Sequence, residues 1–130
     1  MDKIAGGMIL TCVAGPDKFS LKEGFDNKHW INQAAKLALE KHVGEDYIKY
    51  PFVPDGSDER QYSSPGFRIV TPSIHKSKYY EYSEYHTSAD NLEFISAQNL
   101  IQTYEVYKTW VQLIESYSIP KRVDPFCEFQ

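Results

Sequence analysis

Hydrophobic residues along the chain fall into short runs separated by polar stretches rich in turn-forming residues. The run GGMILTCVA is nearly continuous and stops at the turn GPD, which is typical of a strand covered on both faces. The stretches DYIKYPFV and FRIVTPSI predict two more strands. Pro51 and Pro72 lie near their ends, where the missing amide hydrogen is tolerated at an edge or a bulge.

Two stretches repeat apolar residues every three or four positions and therefore predict helices. DNKHWINQAAKLALEKHVG begins after Asp26 or Asn27 as N-cap and ends at Gly44. The second helix is predicted from Ser96 to Ser118, with Pro120 beyond it. Its apolar stripe consists of Leu100, Tyr104, Tyr107, Val111 and Ile114. The order strand, helix, strand, strand, helix predicts an α/β fold.

The composition narrows the classes of partner. The 130 residues carry a net charge of -4, and the basic side chains are scattered, so a nucleic-acid partner is not expected. No apolar run reaches the roughly 18 residues that a membrane helix needs, so we expect no membrane partner. Cys12 and Cys127 form no CxxC pair and are expected to be reduced thiols, as in a cytoplasmic protein.

The predicted elements make a thin sheet for an independent domain. The sequence begins almost inside a strand and stops in the apolar run DPFCEFQ. These features predict part of a larger domain, with sheet edges and an apolar face left open. We therefore expect a homo-oligomer, or pairing with a missing N-terminal half.

One histidine differs from the other three in its setting. His86 lies in EYHTSADN, where Thr87, Ser88 and Asp90 could fix its geometry. An imidazole that binds a metal usually donates its second ring nitrogen to a carboxylate or carbonyl. The same residues could equally form a local turn and cap. We expect the remaining histidines, His29, His42 and His75, to lie at a helix end or on the surface.

A second candidate is the charged loop GSDERQYSSPG. Arg60 could hold a carboxylate as a bidentate pair, and Asp58 and Glu59 could hold an ammonium group, with Tyr62 beside them. A solvated charged loop is the alternative. The sequence has neither a GK[ST] phosphate loop nor a GxSxG elbow, so a P-loop nucleotide enzyme and a serine hydrolase are not expected.

Three stretches together resemble a known family: GGMILTCVAGPDKFS, GSDERQYSSPGFRI and EYSEYHTSADNLEFI. They are similar to the aminopeptidase-like domain of bacterial polysaccharide-biosynthesis proteins, the DUF4910 group of M28-type zinc exopeptidases. The resemblance implies a three-layer α/β/α zinc-exopeptidase-like fold, of which 1–119 would be the C-terminal part. Residues 120–130 would then begin a linker to a following region.

The resemblance also implies a chemistry. In M28 peptidases an HTxxD motif carries the last zinc-binding histidine, which is His86 here, with Asp90 as its supporting partner. The SDER loop, with Asp58, would face the substrate, a small peptide-like or amino-sugar-linked molecule. Zinc-activated water would hydrolyse an amide or peptide bond.

The chain departs from the family pattern at two places. The GD of many relatives, whose Asp can bind metal, is AGPD here, with Gly15 at the aligned position and Asp17 displaced. The first metal-binding His, the bridging Asp and the general base of the family lie upstream of the matching stretches. Since a catalytic zinc needs about three protein ligands, we expect the fragment itself to be inactive. The alternative is a non-catalytic binding or interaction module on the same scaffold.

Overall fold

Four strands and two long helices form the framework of the protein in a computed structural model, which describes residues 4–118. The strands are β1 (Ile9–Leu10), β2 (Phe19–Lys22), β3 (Ile48–Tyr50) and β4 (Ser73–Lys76). The helices are α1 (Trp30–Val43), the short α2 (Glu59–Tyr62) and α3 (Ala97–Ser116). The predicted α/β class is confirmed.

The sheet is mixed, in the order β1-β4-β2-β3. β1 runs parallel to β4 and β2 parallel to β3, whereas the central pair, β2 and β4, is antiparallel. In that central pair Leu21 lies opposite Ile74, and Ser20 opposite His75. Because side chains alternate between faces, one face is apolar and the other polar.

The sequence-based strands need two corrections. β2 was not predicted, although FSLK alternates apolar and polar residues with the period of a strand. The third predicted strand, 67–74, is displaced, since the ladder begins only at Ser73. The residues before it still bond to the chain ahead of β1, with Val70 and Pro72 accepting from the amides of Gly7 and Ile9. Pro72 fits there because only its carbonyl is needed.

Both long helices pack on the apolar face of the sheet. Ala35 and Ala38 of α1 are fully buried and leave room for the Trp110 ring of α3, which is also fully buried. Leu21 and Ile74 complete the core from the sheet. The opposite face carries α2 and the segment 77–96, so in the described residues the second layer contains little helix.

The ends of α1 are set by side-chain and backbone hydrogen bonds. His29, rather than the predicted Asp26 or Asn27, is the N-cap, and its Nδ1 accepts from the Ile31 amide at 3.4 Å. The Asp26 side chain instead accepts from the Lys28 amide at 3.1 Å, and the backbone carbonyls of Asp26 and Asn27 accept from side chains of α1. Gly44 ends the helix with φ 61°, as predicted.

The buried face of α3 differs from the predicted stripe. Ser96 is the N-cap, as expected, and its Oγ accepts from the Asn99 amide at 3.1 Å. The helix buries Thr103, Val106, Tyr107, Thr109 and Trp110. Of the stripe, Tyr107 is buried, whereas Leu100, Tyr104 and Val111 are exposed. The helix therefore has a second apolar face that the described residues leave uncovered.

Some predictions fall outside the described residues, namely the linker 120–130 and Cys127. Cys12 is a half-buried free thiol. Among the helices of residues 4–118, none is both long and apolar enough to cross a bilayer.

Tyr107 ties α3 to two strands. Its hydroxyl lies 2.7 Å from the Ile9 carbonyl and 2.8 Å from the Ile74 carbonyl, and it accepts from the Ile74 amide at 3.3 Å. We expect Tyr107→Phe to lower the free energy of unfolding by about 1–3 kcal/mol, because buried polar backbone groups lose their partner. Urea unfolding measures the change, with Tyr104→Phe on the exposed face as the matched control. An equal effect of the two substitutions would contradict this role.

Candidate functional site

The polar face of the sheet carries a buried ion pair that the sequence did not reveal. Lys22, at the end of β2, is almost fully buried, and its Nζ lies 2.8 Å from Glu59 Oε1. The same ammonium donates to Tyr79 Oη at 2.8 Å, the Asp55 carbonyl at 2.8 Å and Asp55 Oδ1 at 3.1 Å. With four acceptors around three N–H bonds, the charge is fully solvated by the protein.

Glu59 anchors the short helix α2 to the sheet. Its side chain is 1% exposed, and Oε1 also accepts from the Tyr79 hydroxyl at 2.7 Å. Asp58 precedes α2 as its N-cap residue, and Arg60 and Tyr62 lie exposed on it. The structure thus separates the SDER residues, since Glu59 points into the protein and Asp58 and Arg60 remain at the surface.

Burial and hydrogen bonding set the ionisation of this cluster. Burial alone would raise the Glu59 pKa, but hydrogen bonds from Lys22 and Tyr79 outweigh it and hold the pKa below the ordinary value. Burial alone would lower the Lys22 pKa, but its bonds to Glu59, Tyr79 and Asp55 raise it above the usual range. Burial raises the pKa of Tyr79 to about 12. Lys22 and Glu59 are therefore both charged at neutral pH.

His75 lies beside this cluster, fully buried, and not at the surface as its neighbouring lysines suggested. Its Nδ1 is 3.3 Å from Ser20 Oγ, and its ring meets the Tyr79 ring edge-on at 5.2 Å. Burial, aided by the Lys78 charge, lowers the His75 pKa to about 4. Within residues 4–118 its Nε2 and Glu59 Oε2 are buried without a hydrogen-bond partner.

The segment 77–96, which contains the HTSAD motif, is a run of turns held together by stacked rings. Tyr85 stacks on His86 with ring centres 3.9 Å apart, and Tyr82 stacks on Phe94 at 5.0 Å. Thr87 fixes the turn, because its hydroxyl donates to the Glu84 carbonyl at 2.7 Å and accepts from the Ala89 amide at 3.2 Å. This is the side-chain turn that the sequence allowed.

This segment and the chain after β1 enclose an open cavity of about 380 Å³. Its lining consists of Thr11, Cys12, Val13, Ala14, Gly15, Lys76, Tyr82, Tyr85, His86, Asp90, Phe94 and Ile95. Cys12 and His86 both have positive φ, 51° and 58°. Such strain persists in non-glycine residues only where the surroundings enforce it, and it is common at functional sites.

His86 and Asp90 both line this cavity, but they do not bind each other as the motif led us to expect. Asp90 Oδ2 instead accepts from the Tyr82 hydroxyl at 3.5 Å, and the same hydroxyl lies 3.7 Å from Cys12 Sγ. Burial, together with the bond to Cys12, raises the Tyr82 pKa above its ordinary value. The His86 side chain is exposed, so its imidazole is open to a ligand.

The SDER loop and the cavity are linked through Tyr79. The Tyr79 hydroxyl donates to Glu59, and the centres of the Tyr79 and Tyr85 rings lie 6.3 Å apart. The Tyr85 ring in turn stacks on the His86 ring. Gly56, at the start of the loop, has φ 91°, and a Cβ there would lie 2.5 Å from the Tyr79 ring. Only glycine therefore allows the loop to approach so closely.

Comparison with known proteins identifies the family. The family described as a domain of unknown function, DUF4910, matches residues 1–117. The chain belongs to the DUF4910 family. The resemblance inferred from the motifs is thus confirmed.

A curated protein and a crystal structure, both from Clostridium acetobutylicum, are similar to this DUF4910 chain. The chain is 33% identical over its 130 residues to a protein described as a polysaccharide biosynthesis protein with aminopeptidase-like domain, and it spans 30% of that protein. A crystal structure described as that of a peptidase matches with a TM-score of 0.84 and 33% identity, over 99% of this chain and 30% of the other. The DUF4910 chain is therefore peptidase-like in fold and spans about 30% of the length of these relatives.

Proposed function

We propose that this DUF4910 chain supplies one wall of the active-site cleft of a zinc-dependent aminopeptidase-like hydrolase linked to polysaccharide biosynthesis. One observation carries the proposal: the first and last residues of the HTSAD motif, His86 and Asp90, line the same open cavity. The names of the two relatives support a peptidase-like chemistry. The substrate would carry a peptide-like or amino-sugar-linked amide bond.

His86 is the residue of this chain that would bind the metal. Its imidazole is exposed, and neutral imidazole is a preferred zinc ligand. Stacking on Tyr85 holds the plane of the ring, and the turn around Thr87 fixes the backbone on its C-terminal side. Bound zinc would lower the pKa of a water molecule and polarise the scissile carbonyl.

The rest of the ligand set would come from outside this stretch. Residues 4–118 contain no group of three His, Cys, Asp or Glu side chains placed to hold a metal ion. A catalytic zinc needs about three protein ligands, so the described residues do not make a zinc site by themselves. His86 would contribute one ligand, and Asp90, which binds the Tyr82 hydroxyl here, would line the same cavity beside it.

The exposed residues of α2 would contact the substrate. Asp58, Arg60 and Tyr62 lie at the surface, whereas Glu59 fastens this helix to Lys22 and Tyr79. Arg60 would bind a carboxylate, and Asp58 a free amino group. In this arrangement Glu59 acts through the position of α2 and does not touch the substrate.

The test uses a chimera in which this chain replaces the matching 30% of the Clostridium acetobutylicum relative. We expect the chimera to bind zinc, and His86→Ala to weaken zinc binding more than about 100-fold, since loss of a supporting partner alone costs 10–100-fold. Metal content after dialysis against zinc buffers measures the affinity. Hydrolysis of aminoacyl substrates, assayed in parallel, tests the aminopeptidase chemistry.

His42→Ala is the matched control, because this histidine is also exposed but lies on α1 and contacts Thr109. The control chimera should retain the zinc affinity of the parent. Equal zinc binding by the His86→Ala and parent chimeras would rule out the ligand assignment. Zinc binding without hydrolysis of any aminoacyl substrate would favour a binding module.

A further inference from the structure

β1 is an outermost strand with an apolar, unprotected edge. Among the described strands it pairs only with β4. Its last residue, Leu10, is 68% exposed, and Met8 just before the strand is half-buried. Natural proteins avoid open apolar edges, because such an edge readily pairs with another strand.

The opposite edge of the sheet, β3, is protected. Lys49 is exposed in the middle of this strand, and Pro51 follows it at once. A lysine and a proline are two of the features that block strand addition. The two edges therefore differ, and the β1 edge is better suited than the β3 edge to pair with an added strand.

A groove of about 350 Å³ lies between the β1 region and α3. Its lining includes Leu10, Leu100, Thr103, Tyr104 and Val111. Thr103 is buried, and in the described part of the chain its hydroxyl has no hydrogen-bond partner. An apolar groove next to a free strand edge fits a polypeptide segment better than a small polar ligand.

The exposed apolar face of α3 forms one side of this groove. Leu100, Tyr104 and Val111 lie on this face, and Tyr104 is 60% exposed. The opposite side of α3 is already packed on α1 through Trp110. A helix that is apolar on two sides is typical of one buried inside a larger domain.

We propose that the β1 edge and this groove are the docking surface for the portion of the aminopeptidase-like protein that the chain does not span. The occupant would add a strand beside β1 and lay apolar side chains against Leu10, Leu100 and Tyr104. The chain covers only 30% of the relative's length, and it matches the solved structure with a TM-score of 0.84. In the solved structure, the rest of the polypeptide is therefore available to cover this surface, which favours it over a second copy as the occupant. The proposal does not depend on zinc or on catalysis.

The same chimera, in which this chain replaces the matching part of the Clostridium acetobutylicum relative, tests the surface through thermal unfolding. We expect Leu10→Lys to lower the Tm of the chimera by at least about 5 °C, because a charge would be buried at the junction. In the isolated chain, where Leu10 is exposed, the same substitution should change the Tm by less than about 2 °C. Ile48→Lys on the exposed β3 edge is the matched control and should have a small effect in both proteins.

Equal Tm shifts for Leu10→Lys and Ile48→Lys in the chimera would overturn the proposal. If the chimera is insoluble, the chain is co-expressed with the relative from which the matching stretch has been deleted. Co-purification that Leu10→Lys abolishes supports the proposal, and absence of co-purification overturns it. A tight dimer of the isolated chain that Leu10→Lys dissociates would also overturn it, since a second copy would then be the occupant.

Discussion

Replacing Lys22 with alanine is expected to lower the free energy of unfolding by about 3–5 kcal/mol, because Glu59 would be left as an unpaired buried charge. Glu59 is 1% exposed and receives hydrogen bonds from both Lys22 and Tyr79. Without the lysine, Glu59 must be protonated or drawn toward water, and either change loosens α2. Urea unfolding at neutral pH, followed by circular dichroism, measures the loss.

Lys18→Ala is the matched control, since Lys18 forms an ion pair with Asp46 at the surface. Exposed pairs contribute about 0–1 kcal/mol, so this variant should unfold almost like the parent. The double variant Lys22→Met, Glu59→Leu should recover much of the loss, because apolar residues often replace a buried ion pair without cost. If Lys22→Ala were as stable as Lys18→Ala, the Lys22–Glu59 ion pair would be exposed to water and not buried, which would contradict this prediction.

The stability of the protein is expected to fall as the pH drops from about 6.5 to about 4, because His75 is buried in its neutral form. The folded-state pKa is lowered to about 4 from an ordinary 6.5, so between these values the unfolded chain binds a proton that the folded chain does not. The slope is at most about 1.4 kcal/mol per pH unit. The loss of stability begins near pH 6.5, grows as the pH falls and levels off below about pH 4.

His75→Gln should remove this slope, because glutamine keeps a polar group near Ser20 but does not titrate. The Glu59 contribution is distinguishable, since its lowered pKa makes stability fall only below the ordinary carboxyl value of 4.5. Urea unfolding across this pH range gives the slopes, and the same slope in His75→Gln and the parent would contradict the assignment.

The parts of the fold that follow from local pattern were predictable. Helices α1 and α3 have clear apolar periodicity, and Ser96 and Gly44 mark ends that the structure confirms. The motif around His86 identified the family, and it also led to the cavity that His86 and Asp90 share. Each of these signals is contained within a few neighbouring residues.

The ion pair was not predictable in this way. Lys22 and Glu59 are 37 residues apart, and only Glu59 lies in a polar stretch that favours a loop. Their burial depends on the register that puts Lys22 on the polar face of β2 and on the position of Tyr79. Such contacts follow from tertiary packing, which local propensity does not determine.

The predicted stripe of α3 shows a different limit. Its spacing correctly indicated an apolar face, but α3 has two such faces, and the structure packs the one around Trp110 against α1. The spacing of apolar residues shows which of them lie on the same side of a helix, but it does not show which part of the protein packs against that side.

The environment of Lys22 has a consequence for its reactivity. Acylating reagents attack only a deprotonated amine that they can reach, whereas this ammonium is buried and fully hydrogen-bonded. Surface lysines such as Lys28 and Lys41 carry no such protection. Lys22 would therefore be acylated only when α2 lifts from the sheet, which makes its labelling rate a site-specific reporter of that opening.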